Sequence, residues 1–195
     1  MTTADNFRHL IDEHEALFKR LYEVAPNILK AGEQMLSSIE QGNKILICGN
    51  GGSASDAQHF AAELIGRYEQ ERRAVPAIAM TTDTSILTAL GNDYGYEHIF
   101  SRQVEGLAQI GDTLVGISTS GNSNNVIKAI ESAKKAGIKS IGLLGRDGGK
   151  MANIVDIPVI IPHVVTARIQ EAHIFILHFW SGLIEKQVFS SSDAS

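Results

Sequence analysis

The first forty residues place apolar side chains three and four positions apart: Phe7, Leu10, Ile11, Leu17, Phe18 and Leu21, with His14 on the same stripe. That spacing is the helical period. Pro26 punctuates the pattern, and a second helical stripe runs through Ile28, Met35, Leu36 and Ile39. The expectation is a pair of N-terminal helices within 1–42. From Lys44 the pattern changes. Short apolar runs appear at KILIC (44–48), AIAM (77–80), TLVGIS (113–118), SIGLLG (140–145) and IPVIIP (157–162). Runs that are apolar at every position belong to strands covered on both faces, which means parallel strands. Helical segments are expected to open at Ser53–Asp56, to run from Asn124 to Lys135, and to close the chain from about Ala167 to Val188. Strands alternating with helices predict an α/β fold: an open, parallel, five-stranded sheet with helices on both faces, a flavodoxin-like three-layer arrangement preceded by the N-terminal helices. The chain reads as one domain over 1–195, with its α/β core at 44–188 and a disordered polar tail, SSSDAS, at 190–195. The charged run RYEQERR (67–73) reads as a solvated connection.

Composition narrows the function. The 195 residues are 44% hydrophobic and 20% charged, ordinary for a globular domain, and the net charge is −5. A broad nucleic-acid-binding face is not expected from an acidic chain. Any phosphate must be held by local geometry and not by bulk positive field. One cysteine, Cys48, excludes an internal disulfide and a cysteine-based zinc knuckle, which suits a reducing compartment. The start, Met1 to Leu10, has no apolar signal core, and no apolar run approaches the ~20 residues of a membrane span. The chain is therefore expected in the cytoplasm, with neither a membrane nor a nucleic acid as partner.

Two strand ends carry unusual loops, CGNGGSASDA (48–57) and ISTSGNSNN (117–125). Each follows an apolar strand and opens a helix. Ligands of open parallel sheets bind beyond the carboxyl ends of the strands. Helix N-termini there offer free N–H groups to an anion, and glycine lets the backbone approach it. Ser118, Thr119, Ser120 and Ser123 add hydroxyl donors, so this loop can hold phosphate without lysine or arginine. Neither loop is a nucleotide fingerprint: there is no G-x-G-x-x-G and no GK[ST]. The plainer alternative is that Ser and Gly merely cap helices.

The titratable side chains form two clusters. His59 and Glu63 stand four apart, on one face of the helix after the first loop. Such a pair at a helix start near bound phosphate can transfer protons or bind a metal, or it can be a surface ion pair. The second cluster, on the last helix, holds Arg168, Gln170, Glu171, His173 and His178. Spacing alone favours His173 as the companion of Gln170; His173 also suits a satisfied core or interface histidine.

The stretch GDTLVGISTSGNS (111–123) resembles the signature of sugar isomerase (SIS) domains, which bind phosphosugars. GNGGSASDAQHFAAELIGRY (49–68), GNDYG (91–95), GRDGGKMA (145–152) and TARIQEAHIFILH (166–178) together resemble the bacterial phosphoheptose isomerases within that family. The resemblance covers nearly the whole chain. It implies an aldose–ketose isomerase that converts sedoheptulose 7-phosphate into D-glycero-D-manno-heptose 7-phosphate through an enediolate, for surface polysaccharide. It implies Glu63 as base and His178 as acid. Asn50, Gly51, Gly52, Ser53, Glu63, Asn92, Asp93 and Gln170 would touch the sugar, and Ser118, Thr119, Ser120 and Ser123 its phosphate. It further implies zinc at His59, Glu63, Gln170 and His178, and a homotetramer with active sites between subunits. Gln170 and His178 are eight residues apart, about 12 Å along a helix axis. A site using both is easier to build if His178 comes from a neighbouring subunit. Some family members carry an aspartate where this chain has Ala167. The DnaA initiator-associating protein shares the motif set but works as an inactive adaptor, degenerate at the acid/base positions; this chain keeps Glu63 and His178. A sugar-phosphate-sensing regulator would need a DNA-binding domain, for which no residues are left.

Overall fold

The computed structural model describes residues 2–192. It begins with a single helix, α1 (Thr3–Glu40), where two were expected. Pro26 sits inside it without ending it. An interior proline costs about 3 kcal/mol. Leu17, Leu21, Ile28, Ala31, Met35 and Ile39 are buried along one face on both sides of the proline. Each large side chain among them returns roughly 1.5–3 kcal/mol, so the packing outweighs the proline. Tyr22, whose carbonyl Pro26 cannot serve, is 84% exposed, which leaves that turn open to water.

The core alternates as expected: β1 (Ile45–Gly49), α2 (Gly52–Ile65), β2 (Ala77–Ala79), α3 (Thr84–Asp93), α4 (Ser101–Leu107), β3 (Thr113–Ser118), α5 (Asn124–Lys135), β4 (Lys139–Gly145), β5 (Ile157–Ile161) and α6 (Thr166–Ser192). The strands form one sheet in the order β2-β1-β3-β4-β5, and every pairing is parallel. Alternate residues of each strand point to opposite faces. Ile45, Ile47, Val115, Ile117, Ile141 and Leu143 pack with α1, α2 and α6, and Leu46, Cys48, Leu114 and Leu144 face α4 and α5. Helices α3 and α4 were not foreseen. Helix α3 has no fully buried residue; Leu87 and Leu90 only partly bury against the core, a short apolar stripe that is easily missed. Helix α6 continues to Ser192, into the segment expected to be a disordered tail; residues 193–195 lie outside the described residues. The run at 67–73 is not simply solvated, because the Arg72 side chain is fully buried.

Candidate functional site

The site grows from the packing of α6 alongside α2. The two helices run in the same direction, in register. At the start, the Gln170 amide lies against Gly52, where an added Cβ would collide with Gln170 Nε2. Further along, His59 Nε2 meets His178 Nε2 at 3.0 Å. His59 Nε2 also stands 3.2 Å from Glu63 Oε1. Ligand atoms of His59, Glu63 and His178 all lie within 4.8 Å of one another. His59 and Glu63 are not at the helix start: they are the eighth and twelfth residues of α2.

This corrects the expectation about chain origin. Glu63 and His178 meet within one chain, so the pair needs no neighbouring subunit. Gln170 lies toward the start of α2. It touches Gly52, which precedes His59 by seven residues, or about 10 Å of helix.

The three grouped residues fit a zinc ion. Two ligands each 2.0–2.1 Å from a tetrahedral ion stand about 3.3 Å apart. The 3.0 and 3.2 Å separations here are close to that edge, and the two imidazole nitrogens and a carboxylate are an ordinary zinc donor set.

The two glycine loops meet beside the start of α2. Asn50 and Asn125 exchange reciprocal amide bonds of 2.8 Å. Tyr96 donates its hydroxyl to Asn50 Oδ1 at 3.0 Å, which ties the segment after α3 to the first loop. Tyr96 and Asn125 were not foreseen as site residues. Asn92 and Asp93 close α3 nearby, exposed and bonded to each other at 2.8 Å. In the second loop Ser118 and Ser123 share a hydroxyl bond of 2.9 Å, and Ser118 Oγ also accepts from Gly121 N. Ser120 Oγ accepts from Asn122 N, and Thr119 is half-buried. Gly121 has φ +64, and a Cβ there would collide with Gly148 O, so only glycine fits the turn. Neither α2, entered from Gly51, nor α5, entered from Ser123, has a side-chain cap hydrogen bond. Ser53 and Ala54 N–H already donate to Asn50 O and Gly51 O, and Val126 N–H to Asn125 Oδ1, so the groups left to face an anion are the opening N–H groups of Gly52, Asn124 and Asn125. Ser53, in the first turn of α2, is buried under this loop.

Three further titratable groups clarify the picture. His173 is fully buried, pairs its Nε2 with Leu144 O at 3.1 Å, and is pushed down by burial to about 4; it is a core residue. Cys48 is buried and its thiol pushed up to about 12, which leaves it unreactive. Asp56, which sequence reasoning missed, sits one turn before His59 on α2. Burial raises its carboxyl to about 6 against the opposing pull of His59, and its Oδ2 is buried with no hydrogen-bond partner. A bare aspartate in a helix gives no sequence signal for this.

The chain is similar to known proteins over most of its length. A family model described as SIS domain matches residues 9–145. The phosphoheptose isomerase of Geotalea daltonii is 52% identical over 186 residues, covering 95% of this chain and 97% of that protein. That of Geobacter sulfurreducens is 56% identical over 167 residues, 86% of this chain and 88% of that protein. The solved phosphoheptose isomerase of Neisseria gonorrhoeae superposes with a TM-score of 0.90 at 45% identity, covering 95% of this chain and all of that one. The chain belongs to the SIS domain family and, within it, to the phosphoheptose isomerases.

Proposed function

We propose that the protein isomerises sedoheptulose 7-phosphate to D-glycero-D-manno-heptose 7-phosphate, supplying heptose for surface polysaccharide. The observation that carries this reading is the meeting of Glu63 and His59, on α2, with His178, with His59 about 10 Å of helix past Gly52 in the first glycine loop. An extended open-chain heptose 7-phosphate measures roughly 9 Å from C2 to phosphorus, seven bonds that each advance the chain by ~1.3 Å. With its phosphate at the uncapped helix starts, such a substrate places C1 and C2 at the cluster.

Glu63 then takes a proton from C1 and returns it to C2, while His178 moves the hydroxyl proton from O1 to O2. The atoms balance, because one carbon proton and one oxygen proton each shift by one position. His59 holds both partners through its 3.0 and 3.2 Å contacts. His59, Glu63 and His178 would hold zinc, which when bound polarises the substrate carbonyl as a Lewis acid. Ser118, Thr119, Ser120 and Ser123 receive the phosphate, and Asn50, Gly51, Gly52, Ser53, Asn92, Asp93 and Gln170 face the sugar.

The assembly is a homotetramer. An apolar groove of about 510 Å³ between α1 and α6, lined by Phe18, Tyr22, Leu29, Phe175 and Phe179, supports this. Phe7 and Ile11 extend the same apolar character, 65% and 49% exposed. Exposed patches of this kind mark protein contacts. A cytoplasmic setting suits a phosphorylated substrate and the free Cys48; among the described residues no helix is long and apolar enough to cross a membrane. The adaptor reading is not favoured, because Glu63 and His178 are both present and grouped, and the relatives at 52% and 56% identity are isomerases.

The direct assay incubates purified protein with sedoheptulose 7-phosphate and follows the aldose product. Aldose should form with the wild type and not with Glu63→Gln. No aldose from the wild type, with or without added zinc, would refute the reading.

A further inference from the structure

Past the end of α2, the charged run that reads as a loose connection is fastened to α6. Glu185, with 3% of its side chain exposed, accepts three backbone N–H groups, from Tyr68, Glu69 and Gln70, each at 2.8 Å. Burial alone would raise this carboxyl; the three donors and Arg72 outweigh it and hold it below the usual range. Arg72 is buried with it, 3.4 Å from Glu185 Oε2. Its guanidinium donates to the carbonyls of Glu63, Leu64 and Gly66 at 2.6, 2.8 and 2.9 Å. These carbonyls lie at the end of α2, where Gly66 N–H serves Ala62 O and Arg72 supplies donors to the carbonyls that follow.

The fastening sets one ring. Tyr68 stacks on the His178 imidazole with centroids 5.7 Å apart and planes 25° apart. It also crosses Gly182, one turn further along α6, where a Cβ would stand 3.4 Å from the ring. The His178 imidazole is therefore confined on one face by Tyr68 while its Nε2 meets His59. Without that wall, a half-buried histidine can turn about its ring torsion, and small misplacements of a reacting group are costly. A loop that needed only to be tied down would not require an aromatic ring against His178.

We infer that Tyr68 is a positioning residue for His178, held in place by the buried Glu185–Arg72 pair. The inference rests on the proposed role of His178. The test uses full-length protein labelled at its histidine rings, in wild type, Tyr68→Phe, Tyr68→Ala and Glu185→Gln. The His178 ring signals are assigned by their loss in His178→Gln, and kcat and KM for sedoheptulose 7-phosphate are measured alongside. Tyr68→Ala should move the His178 ring protons downfield as the ring current is lost, and lower kcat about tenfold with KM changed less than about threefold. Tyr68→Phe should keep both the shifts and kcat, because it keeps the ring. Glu185→Gln should reproduce the shift change; if that variant does not fold, the two Tyr68 variants decide alone. Unmoved His178 signals in Tyr68→Ala, or an unchanged kcat there, would overturn the inference. The ring signals are read without turnover, so an inactive wild type would sink the proposed function and leave this inference to be judged by the spectra.

Discussion

The two ends of the α2 face are built differently. At the strand-end side, α2 and α5 start without side-chain caps, although α1 carries a capping box between Thr2 and Asp5 and α3 is capped by Asp83. The groups there are backbone N–H and hydroxyls, uncharged at any ordinary pH. About 10 Å along α2, the cluster is made of titratable side chains that only the packing of α6 brings together. One end is suited to hold an anion in ground state and transition state alike, and the other to move protons. Substitutions at the two ends should therefore separate KM from kcat.

The largest effect belongs to the chemical end. Glu63→Gln should lower kcat at least ~10²-fold with KM within a few-fold, because a general base is lost without loss of shape. Steady-state kinetics decides it, and near-normal turnover would remove Glu63 from the chemistry. The phosphate end should answer in the opposite sense. Ser123→Asp puts a capping carboxylate where the ligand anion would sit, so it should raise KM about tenfold or more while adding slightly to thermal stability. Ser118→Ala with Ser120→Ala should raise KM by a smaller factor with kcat nearly kept. A fall in kcat alone would mean the loop is misassigned.

Two smaller effects concern stability and test the burial on either side of the cluster. His173 lies five residues before His178 on α6, yet it belongs to the core. Its folded pKa of about 4 is below the ordinary value of 6.5, so the unfolded chain takes the proton first. Its contribution is complete above about pH 6.5 and is lost as pH falls toward 4, by up to ~1.4 kcal/mol per pH unit. Denaturant unfolding at pH 7.5 and pH 5 should show a larger loss in wild type than in His173→Leu. Asp56 works in the other direction: its carboxyl is raised to about 6, so it favours the fold at low pH and loses that contribution as pH rises through 6. Asp56→Asn should raise Tm by roughly 2 °C at pH 7.5 and by less at pH 4, since a partly exposed group is discounted for solvent.

The sheet was legible because strands covered on both faces leave unbroken apolar runs, and all five lie within about a residue of where the runs predict. Proline at 26 misled because local propensity yields to burial on both sides of it. Helix α3 was missed because its apolar face is short, with only Leu87 and Leu90 partly buried against the core. In the site, His59 and Glu63 were readable from their spacing, and His178 only through the family resemblance. The position of Gln170 was not, because an eight-residue gap on one helix says nothing about where a second helix lies. Glu185 and Arg72 left no pattern either: they pair with each other and with backbone groups, up to 117 positions away for Glu185.

The central claim is that one chain supplies both Glu63 and His178 to a site. Mixing subunits tests it most directly. Glu63→Gln and His178→Ala chains are co-expressed with different tags, mixed assemblies are isolated, and isomerase activity is compared with each variant alone. Because the two side chains meet within one chain, no mixed assembly contains a site with both, and activity should stay at the level of the single variants. Recovery of a substantial fraction of wild-type activity in the mixed assemblies would show that the residues come from different chains and would contradict the account.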